Sequence, residues 1–188
     1  MTDRRKALLL LDYQVALCEE GPHLRMPPLA AQVAERDVIA TASRVLDAAR
    51  AAGWLVGREA GKVMAAEGGG RIVNLTTVYA ERVGPVPESA YYASKAGVVN
   101  VTRALAAELG PRGVTVNCLA PGVFYPTKMT AALGEDPDRL DWFARRTMLG
   151  RLGDPARDFA GPLLLLASPA SSYVTGQVVY VDGGWSAW

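Results

Sequence analysis

The side chains best suited to chemistry are a tyrosine and a lysine four positions apart, in Tyr91-Tyr92-Ala93-Ser94-Lys95. On a helix, residues four apart share a face. An ammonium beside a phenol favours the phenolate and draws a tyrosine pKa down from about 10 toward the working range. Such a tyrosine can exchange a proton with an alcohol or carbonyl oxygen while hydride moves to or from carbon. The bare spacing carries little weight, because seven tyrosines and four lysines can produce it by chance on an exposed helix face. Other reactive residues are scattered. The single histidine, His23, follows Gly21 and Pro22 in a loop-like stretch without partners for triad or zinc chemistry. The only cysteines, Cys18 and Cys118, have neither metal-site spacing nor a dense disulfide pattern.

Elements that could position Tyr91 and Lys95 alternate along the chain. The apolar run Ala7–Leu11, ended by Asp12, predicts a buried parallel strand over 7–12. Gly21, Pro22, Pro27 and Pro28 then punctuate a loop. Apolar residues at helical spacing from Val38 to Ala52, closed by Gly53, predict a helix, and a strand is expected over 54–57. A short charged helix follows to Ala66 and stops at Gly68-Gly69-Gly70. Further strands are expected over 71–77, 114–119 and 177–181. A long helix from Glu88 or Ser89 runs to Leu109, where Gly110-Pro111 stops it. Two later helices are expected, over 137–148 and from Asp154-Pro155 to about Ala167. Pro162 falls inside the second and would cost about 3 kcal/mol unless it marks a kink. Strands alternating with helices predict an α/β fold, an open parallel sheet with helices on both faces.

The 188 residues suit one domain, and 50% hydrophobic with 21% charged residues is the balance of a soluble globular protein. A net charge of +1 without a dense basic cluster argues against nucleic acid as a partner. No stretch of 18 apolar residues could span a membrane, and the N-terminus lacks the pattern of a cleaved leader. A cytoplasmic protein with reduced thiols is expected.

The surroundings of Tyr91 give the spacing its meaning. Asn74-Leu75-Thr76-Thr77 closes a strand 14 residues earlier, putting a hydroxyl at the carboxyl end of a parallel strand, where such sheets bind ligands. After the helix come Val116-Asn117-Cys118-Leu119-Ala120-Pro121-Gly122, then Thr127-Lys128-Met129. Val174-Thr175-Gly176-Gln177 and Asp182-Gly183-Gly184 lie near the end. In order and spacing these segments resemble the C-terminal half of the short-chain dehydrogenase/reductase family, whose Rossmann-like members transfer hydride between NAD(P) and an alcohol or carbonyl. The resemblance implies that Tyr91 is the general acid/base and that Lys95 holds the nicotinamide ribose and depresses the Tyr91 pKa. It implies that Thr77, where the family usually has serine, orients the substrate oxygen. Pro121, Gly122 and Thr127 would form the nicotinamide-side loop. The stretch from Pro126 through Met148 would cover a small-molecule substrate, with Met129, Leu133, Trp142 and Phe143 as pocket walls or as ordinary apolar packing. A homo-oligomer is expected, with Ala93, Ala96 and Gly97 small enough for close approach of the Tyr91 helix to a second copy.

The family's glycine-rich turn, which cradles a pyrophosphate at a helix N-terminus, has no counterpart: Asp12-Tyr13-Gln14 follow the first strand. The residue that reads the adenosine ribose, the Asn-Ala-Gly strand end and the helix asparagine of the proton relay are missing as well. Residues 1–57 instead resemble the start of isochorismatase-like cysteine hydrolases, with Ala7–Gln14 matching the first strand and Asp12 the catalytic aspartate. The lysine and nucleophilic cysteine that this chemistry needs do not follow. The chain thus reads as a composite joined near Gly57–Gly61, an isochorismatase-like strand–helix–strand segment at 1–57 followed by a dehydrogenase-like region at 58–188. Three functions are expected from such a chain: an oxidoreductase using NAD or NADP, weakened by loss of the glycine loop; a remnant of a hydrolase; or a non-catalytic α/β protein that oligomerises.

Overall fold

The computed structural model describes residues 6–10, 56–85 and 88–187. In chain order these form β1 (Lys6–Leu10), a helix α1 over 56–66, β2 (Gly70–Leu75), α2 (Ser89–Leu109), β3 (Val114–Pro121), α3 (Pro137–Arg145), α4 (Ala160–Ala167) and β4 (Val178–Val181). The four strands are all parallel and lie side by side in sequence order. Ile72 is opposite Val116, Asn74 opposite Cys118, and Leu119 opposite Val179. This is the α/β, Rossmann-like parallel arrangement that the alternation of strands and helices predicts.

Helices cover β2 and β3 on both faces, so most of their residues are buried whether apolar or polar. On one face Ile72, Val114 and Val116 pack with Met64 of α1 and with Leu105, Ala106 and Leu109 of α2. On the other, Val73 and Leu119 pack with Leu166 of α4, flanked by Phe159, Leu163 and Val179. A third cluster joins Val78, Phe143 and Trp185 beyond the carboxyl ends of the strands. The chain turns from α2 into β3 at Gly113, whose φ of 79° favours glycine.

The structure corrects three boundaries. Residues 56 and 57 are helical rather than extended, so the strand expected over 54–57 is not formed there; residues 54 and 55 lie outside the described residues. The sheet accordingly has four described strands instead of the five expected. The cause is packing: α1 lies so close to α2 that a Cβ on Gly61 would lie 2.3 Å from Leu109 Cδ1. The helix expected from Asp154 starts at Ala160, because Asp154 instead caps a turn, its carboxylate accepting from the Ala156 N–H at 2.8 Å. Pro162 then falls in the first helical turn, where its missing N–H would have had no intrahelical partner, and the expected penalty does not arise. Finally, α3 stops at Arg145 rather than Met148. The Thr147 hydroxyl donates to the Ala144 carbonyl at 2.9 Å and accepts from the Arg151 N–H at 3.2 Å, which closes the helix.

Candidate active site

The long helix α2 reaches the sheet through buried polar bonds as well as through its apolar stripe. The Asn74 side-chain amide on β2 donates to Thr102 Oγ1 at 2.7 Å, and that hydroxyl donates in turn to the Val98 carbonyl at 2.8 Å. Cys118 on β3 completes the set, with its Sγ 3.0 Å from Thr102 Oγ1. One turn further toward the strand ends, Thr76 Oγ1 donates to the Lys95 carbonyl at 3.0 Å. The segment of helix that carries Lys95 is therefore fixed to the end of β2.

Lys95 is 3% exposed, and its ammonium lies 5.5 Å from the centroid of the Tyr91 ring. The shared helix face predicted from the four-residue spacing is thus formed, with Tyr91 half-buried at its outer end. Thr77 follows β2 and is 8% exposed. Its hydroxyl donates to the Pro121 carbonyl at 3.4 Å and accepts from the Tyr79 N–H at 3.5 Å, so it caps the turn Val78–Ala80 and joins the ends of β2 and β3. Pro121 ends β3, and the Gly122 N–H donates to the Val181 carbonyl at 3.0 Å. A Cβ on Gly122 would lie 2.8 Å from Asp182 Cβ, so glycine is what lets the two strand ends approach. Thr127 is bonded within its own turn. Its hydroxyl is 2.8 Å from Thr130 Oγ1 and accepts from the Thr130 N–H at 3.1 Å, while its own N–H donates to Thr130 Oγ1 at 3.1 Å.

Sequence reasoning missed an aromatic cap beside this site. Tyr79 packs against Tyr92 at 5.6 Å between ring centroids and edge-on to Trp185 at 6.1 Å. Trp185 stacks on Phe143 at 5.9 Å and is itself only 6% exposed. Arg146, just beyond α3, lies over both Trp142 and Trp185. Of the four pocket walls considered, Phe143 is core, Leu133 packs partly against that core, Trp142 is partly exposed at the cap, and Met129 is mostly exposed. The signal for Trp185 was its place directly after Asp182-Gly183-Gly184. That turn is held by the Asp182 carboxylate, which accepts from the Gly184 and Ser186 N–H groups at 2.9 and 2.8 Å.

Electrostatics separate reactive from inert groups. Burial pushes the Cys118 thiol up to about 11, and at 0% exposure it has neither the access nor the thiolate character of a nucleophile. Burial, with the Tyr92 and Tyr91 phenols nearby, pushes Tyr79 up to about 12. The Arg151 guanidinium grips Asp158 through two bonds of 2.5 and 3.1 Å and holds its carboxyl below the usual range. Those two residues border a cavity of about 450 Å³, with Val123, Phe124, Met148 and Gly184 among its walls. None of Thr77, Tyr91 and Lys95 lines it. Among the described residues no group of His, Cys, Asp and Glu could hold a metal ion, and no helix is long and apolar enough to cross a membrane.

The donor set at the strand ends fits the ribose side of a nicotinamide nucleotide. A buried ammonium and a phenol on one helix face, beside the open carboxyl edge of the sheet, suit sugar hydroxyls. The turn after β1 lies outside the described residues, as do Asp12, Cys18 and His23.

The sequence model described as enoyl-(acyl carrier protein) reductase matches residues 29–186. Among curated proteins, the chain is 46% identical over 132 residues to a galactitol 2-dehydrogenase (L-tagatose-forming) of Cereibacter sphaeroides, covering 70% of this chain and 51% of that protein. It is 40% identical over 133 residues to a gluconate 5-dehydrogenase of Gluconobacter oxydans, covering 70% and 50%. The crystal structure of a gluconate 5-dehydrogenase from Burkholderia cenocepacia in complex with NADP and tartrate superposes with a TM-score of 0.73 at 33% identity, covering 87% of this chain and 61% of that one. The chain thus spans about half the length of the curated relatives it matches. With the matched model spanning most of its residues, the chain belongs to the short-chain dehydrogenase/reductase family.

Proposed function

We propose that the chain is an oxidoreductase that transfers hydride between NAD or NADP and a small-molecule alcohol or carbonyl, with Tyr91 as general acid/base. The observation that carries this reading is the Lys95 ammonium over the Tyr91 ring, on a helix fixed to the strand end by Thr76. In the oxidative direction Tyr91, as phenolate, takes the proton of the substrate hydroxyl; in the reductive direction the phenol gives it to the carbonyl oxygen. The Lys95 ammonium stabilises the anionic form of its neighbour. The Thr77 hydroxyl turns from the Pro121 carbonyl, 3.4 Å away, to donate to the substrate oxygen. When bound, the nicotinamide supplies the carbon that accepts or donates hydride. Lys95 and Tyr91 would hold its ribose hydroxyls, and Pro121, Gly122 and Thr127 would border its ring. The relatives named for galactitol and gluconate support polyols and sugar acids as the substrate class. The NADP complex of the Burkholderia relative supports the phosphorylated nucleotide as the first to try.

On the same reading residues 1–57 are a replacement segment resembling an isochorismatase-like start, and the family match, which begins at residue 29, overlaps its second half. A cytoplasmic homo-oligomer is part of this proposal. The test is titration of the purified chain with NADH and NADPH, followed by cofactor fluorescence and thermal shift. Saturable binding, with turnover of polyols or sugar acids that Tyr91→Phe removes, is the expected result. A chain that unfolds cooperatively and binds neither nucleotide would refute the reading.

A further inference from the structure

We propose that Glu81 is a positioning residue for the Thr77 hydroxyl, its carboxylate tying the turn that carries Thr77 to β4 and to α2 at once. This rests on the oxidoreductase reading of the same site, in which Thr77 donates to the substrate oxygen. Glu81 closes that turn. Its N–H donates to the Val78 carbonyl at 3.4 Å, and the Ala80 N–H donates to the Thr77 carbonyl at 2.9 Å. The two carboxylate oxygens then go to different elements. Oε2 accepts from the Tyr180 hydroxyl on β4, and Oε1 accepts from Arg103 Nη2 on α2 at 3.5 Å. Tyr180 is opposite Ala120 in the sheet, one residue before the Pro121 carbonyl that the Thr77 hydroxyl meets. Arg103 follows Lys95 by eight residues, about two turns of the same helix. Arg82 braces the clamp from the next position, donating to the Glu81 carbonyl at 3.0 Å and to the Ser186 carbonyl at 2.9 Å.

The turn has an apolar anchor and a polar one, and they do different work. Val78 is fully buried with Phe143 and Trp185, which holds the turn in place. Apolar contacts are non-directional, so orientation falls to the bonds of Glu81. Thr77 cannot orient itself, because its hydroxyl makes only long bonds of 3.4 and 3.5 Å. Such a hydroxyl is easily re-aimed at a substrate, which is useful only if the backbone beneath it stays fixed. A carboxylate suits the clamp: it only accepts, it offers two oxygens, and its bonds to a phenol and a guanidinium are charge-assisted. Both charged partners are well exposed, 37% for the Glu81 side chain and 53% for that of Arg103, so their pair adds little to global stability. A misplacement of about 1 Å at a reacting group can nonetheless cost about 10²-fold in rate. Rate and stability should therefore separate in Glu81 variants.

The test joins kinetics with native-state hydrogen exchange on the full chain. Wild type, Glu81→Ala, Glu81→Gln and Tyr180→Phe are compared, each also in a Thr77→Val background, with NADP and galactitol or D-gluconate as substrate. We expect Glu81→Ala and Tyr180→Phe each to lower kcat about tenfold with KM unchanged within about twofold. Glu81→Gln, which keeps an oxygen for Tyr180, should recover most of the loss. In the Thr77→Val background neither Glu81→Ala nor Tyr180→Phe should lower kcat further, because the hydroxyl they position is gone. Exchange of the Ala80 amide should be about tenfold faster in Glu81→Ala, with the α2 amides around Lys95 unchanged. Thermal melts identify any variant whose fold has been lost. An unchanged Ala80 amide, no loss of kcat, or an equal loss with and without the Thr77 hydroxyl would overturn the assignment, the last by making Glu81 a merely structural residue. The underlying reading fails separately, if the chain neither binds NADPH nor turns over. Exchange at Ala80 then decides the clamp alone: faster exchange in Glu81→Ala keeps it, and unchanged exchange removes it.

Discussion

The seam between α2 and the sheet and the cap at the C-terminal end meet at the Thr77 turn, yet they are held by different forces. In the seam Asn74, Thr102 and Cys118 interlock, and Thr76 bonds the Lys95 carbonyl, all at 2.7 to 3.0 Å. The cap is held by ring surfaces, with Trp142, Phe143, Trp185 and Tyr79 at centroid separations of 5.0 to 6.2 Å. Hydrogen bonds weaken steeply with angle and distance, whereas aromatic pairs tolerate a range of tilts and offsets. Proton transfer needs placement that a single ångström can spoil. The contrast concentrates fixed geometry under Lys95 and tolerance of small displacements in the ring cap.

Tyr91→Phe gives the largest expected effect, because it removes the transferable proton and little else. NAD(P)-linked turnover should fall about 10²- to 10⁴-fold with the melting curve unchanged. Turnover equal to wild type would take Tyr91 out of the mechanism and leave the seam without a purpose. Trp185→Ala comes next. It empties a site that is 6% exposed in the wild type and should cost about 3–5 kcal/mol in denaturant unfolding. The sharper readout is local: if the two regions are independent, Cys118 in this variant stays unreactive to thiol reagents under native conditions. A thiol that becomes reactive in step with loss of the cap would make the two regions one cooperative unit.

The elements that form the seam were legible in the sequence but their bonds were not, and of the cap only Trp142 and Phe143 stood out. The Tyr91–Lys95 face follows from helix geometry alone, and the alternation of strands and helices pointed to a parallel sheet covered on both sides. The strand order required the coordinates, because residues such as Val73 and Leu119 pack equally well beside several partners. Val56 shows a second limit. A β-branched residue two positions after Trp54 reads as strand, but the packing of Gly61 on Leu109 favours helix there. Pro162 shows the opposite case, a penalty that vanished once the helix start moved six residues to Ala160. The cap could not be assembled from sequence because its members come from four places, Tyr79, Trp142–Phe143, Arg146 and Trp185, and no periodicity links a turn, a helix end and a C-terminal segment. Thr127 and Thr130 bond each other within one turn, a local arrangement that no periodicity announces.

Thr102→Val tests whether polar bonds hold the seam. Valine keeps the shape but leaves the amide of Asn74, 6% exposed, without the acceptor it has at 2.7 Å. A loss of about 1–3 kcal/mol is expected by urea unfolding, with turnover falling further than Asn74 or Thr102 could explain by contact with substrate. A loss below about 0.5 kcal/mol, the scatter of ordinary surface substitutions, would mean that apolar packing alone places α2.

The smallest effect at neutral pH, and the one that separates the regions most cleanly, is alkaline destabilisation. Cys118 in the seam is pushed up from 9 to about 11 by burial. In the cap, Tyr79 and Tyr180 are each pushed up from 10 to about 12, both chiefly by burial, with the bond from Tyr180 to Glu81 adding to its shift. All three are neutral when protonated, and the native state holds those protons more tightly than the unfolded chain does. Their contribution is therefore fully present below the ordinary values and is lost as pH rises through the raised ones. Stability should decline from about pH 9, first through the thiol and then, between 10 and 12, through the two phenols. Urea unfolding across this range should show Cys118→Ala flattening the lower part of the decline and Tyr79→Phe the upper part. If either variant flattened the whole curve, the seam and the cap would titrate as one structure, and the division between a rigid and an adaptable region would have to be given up.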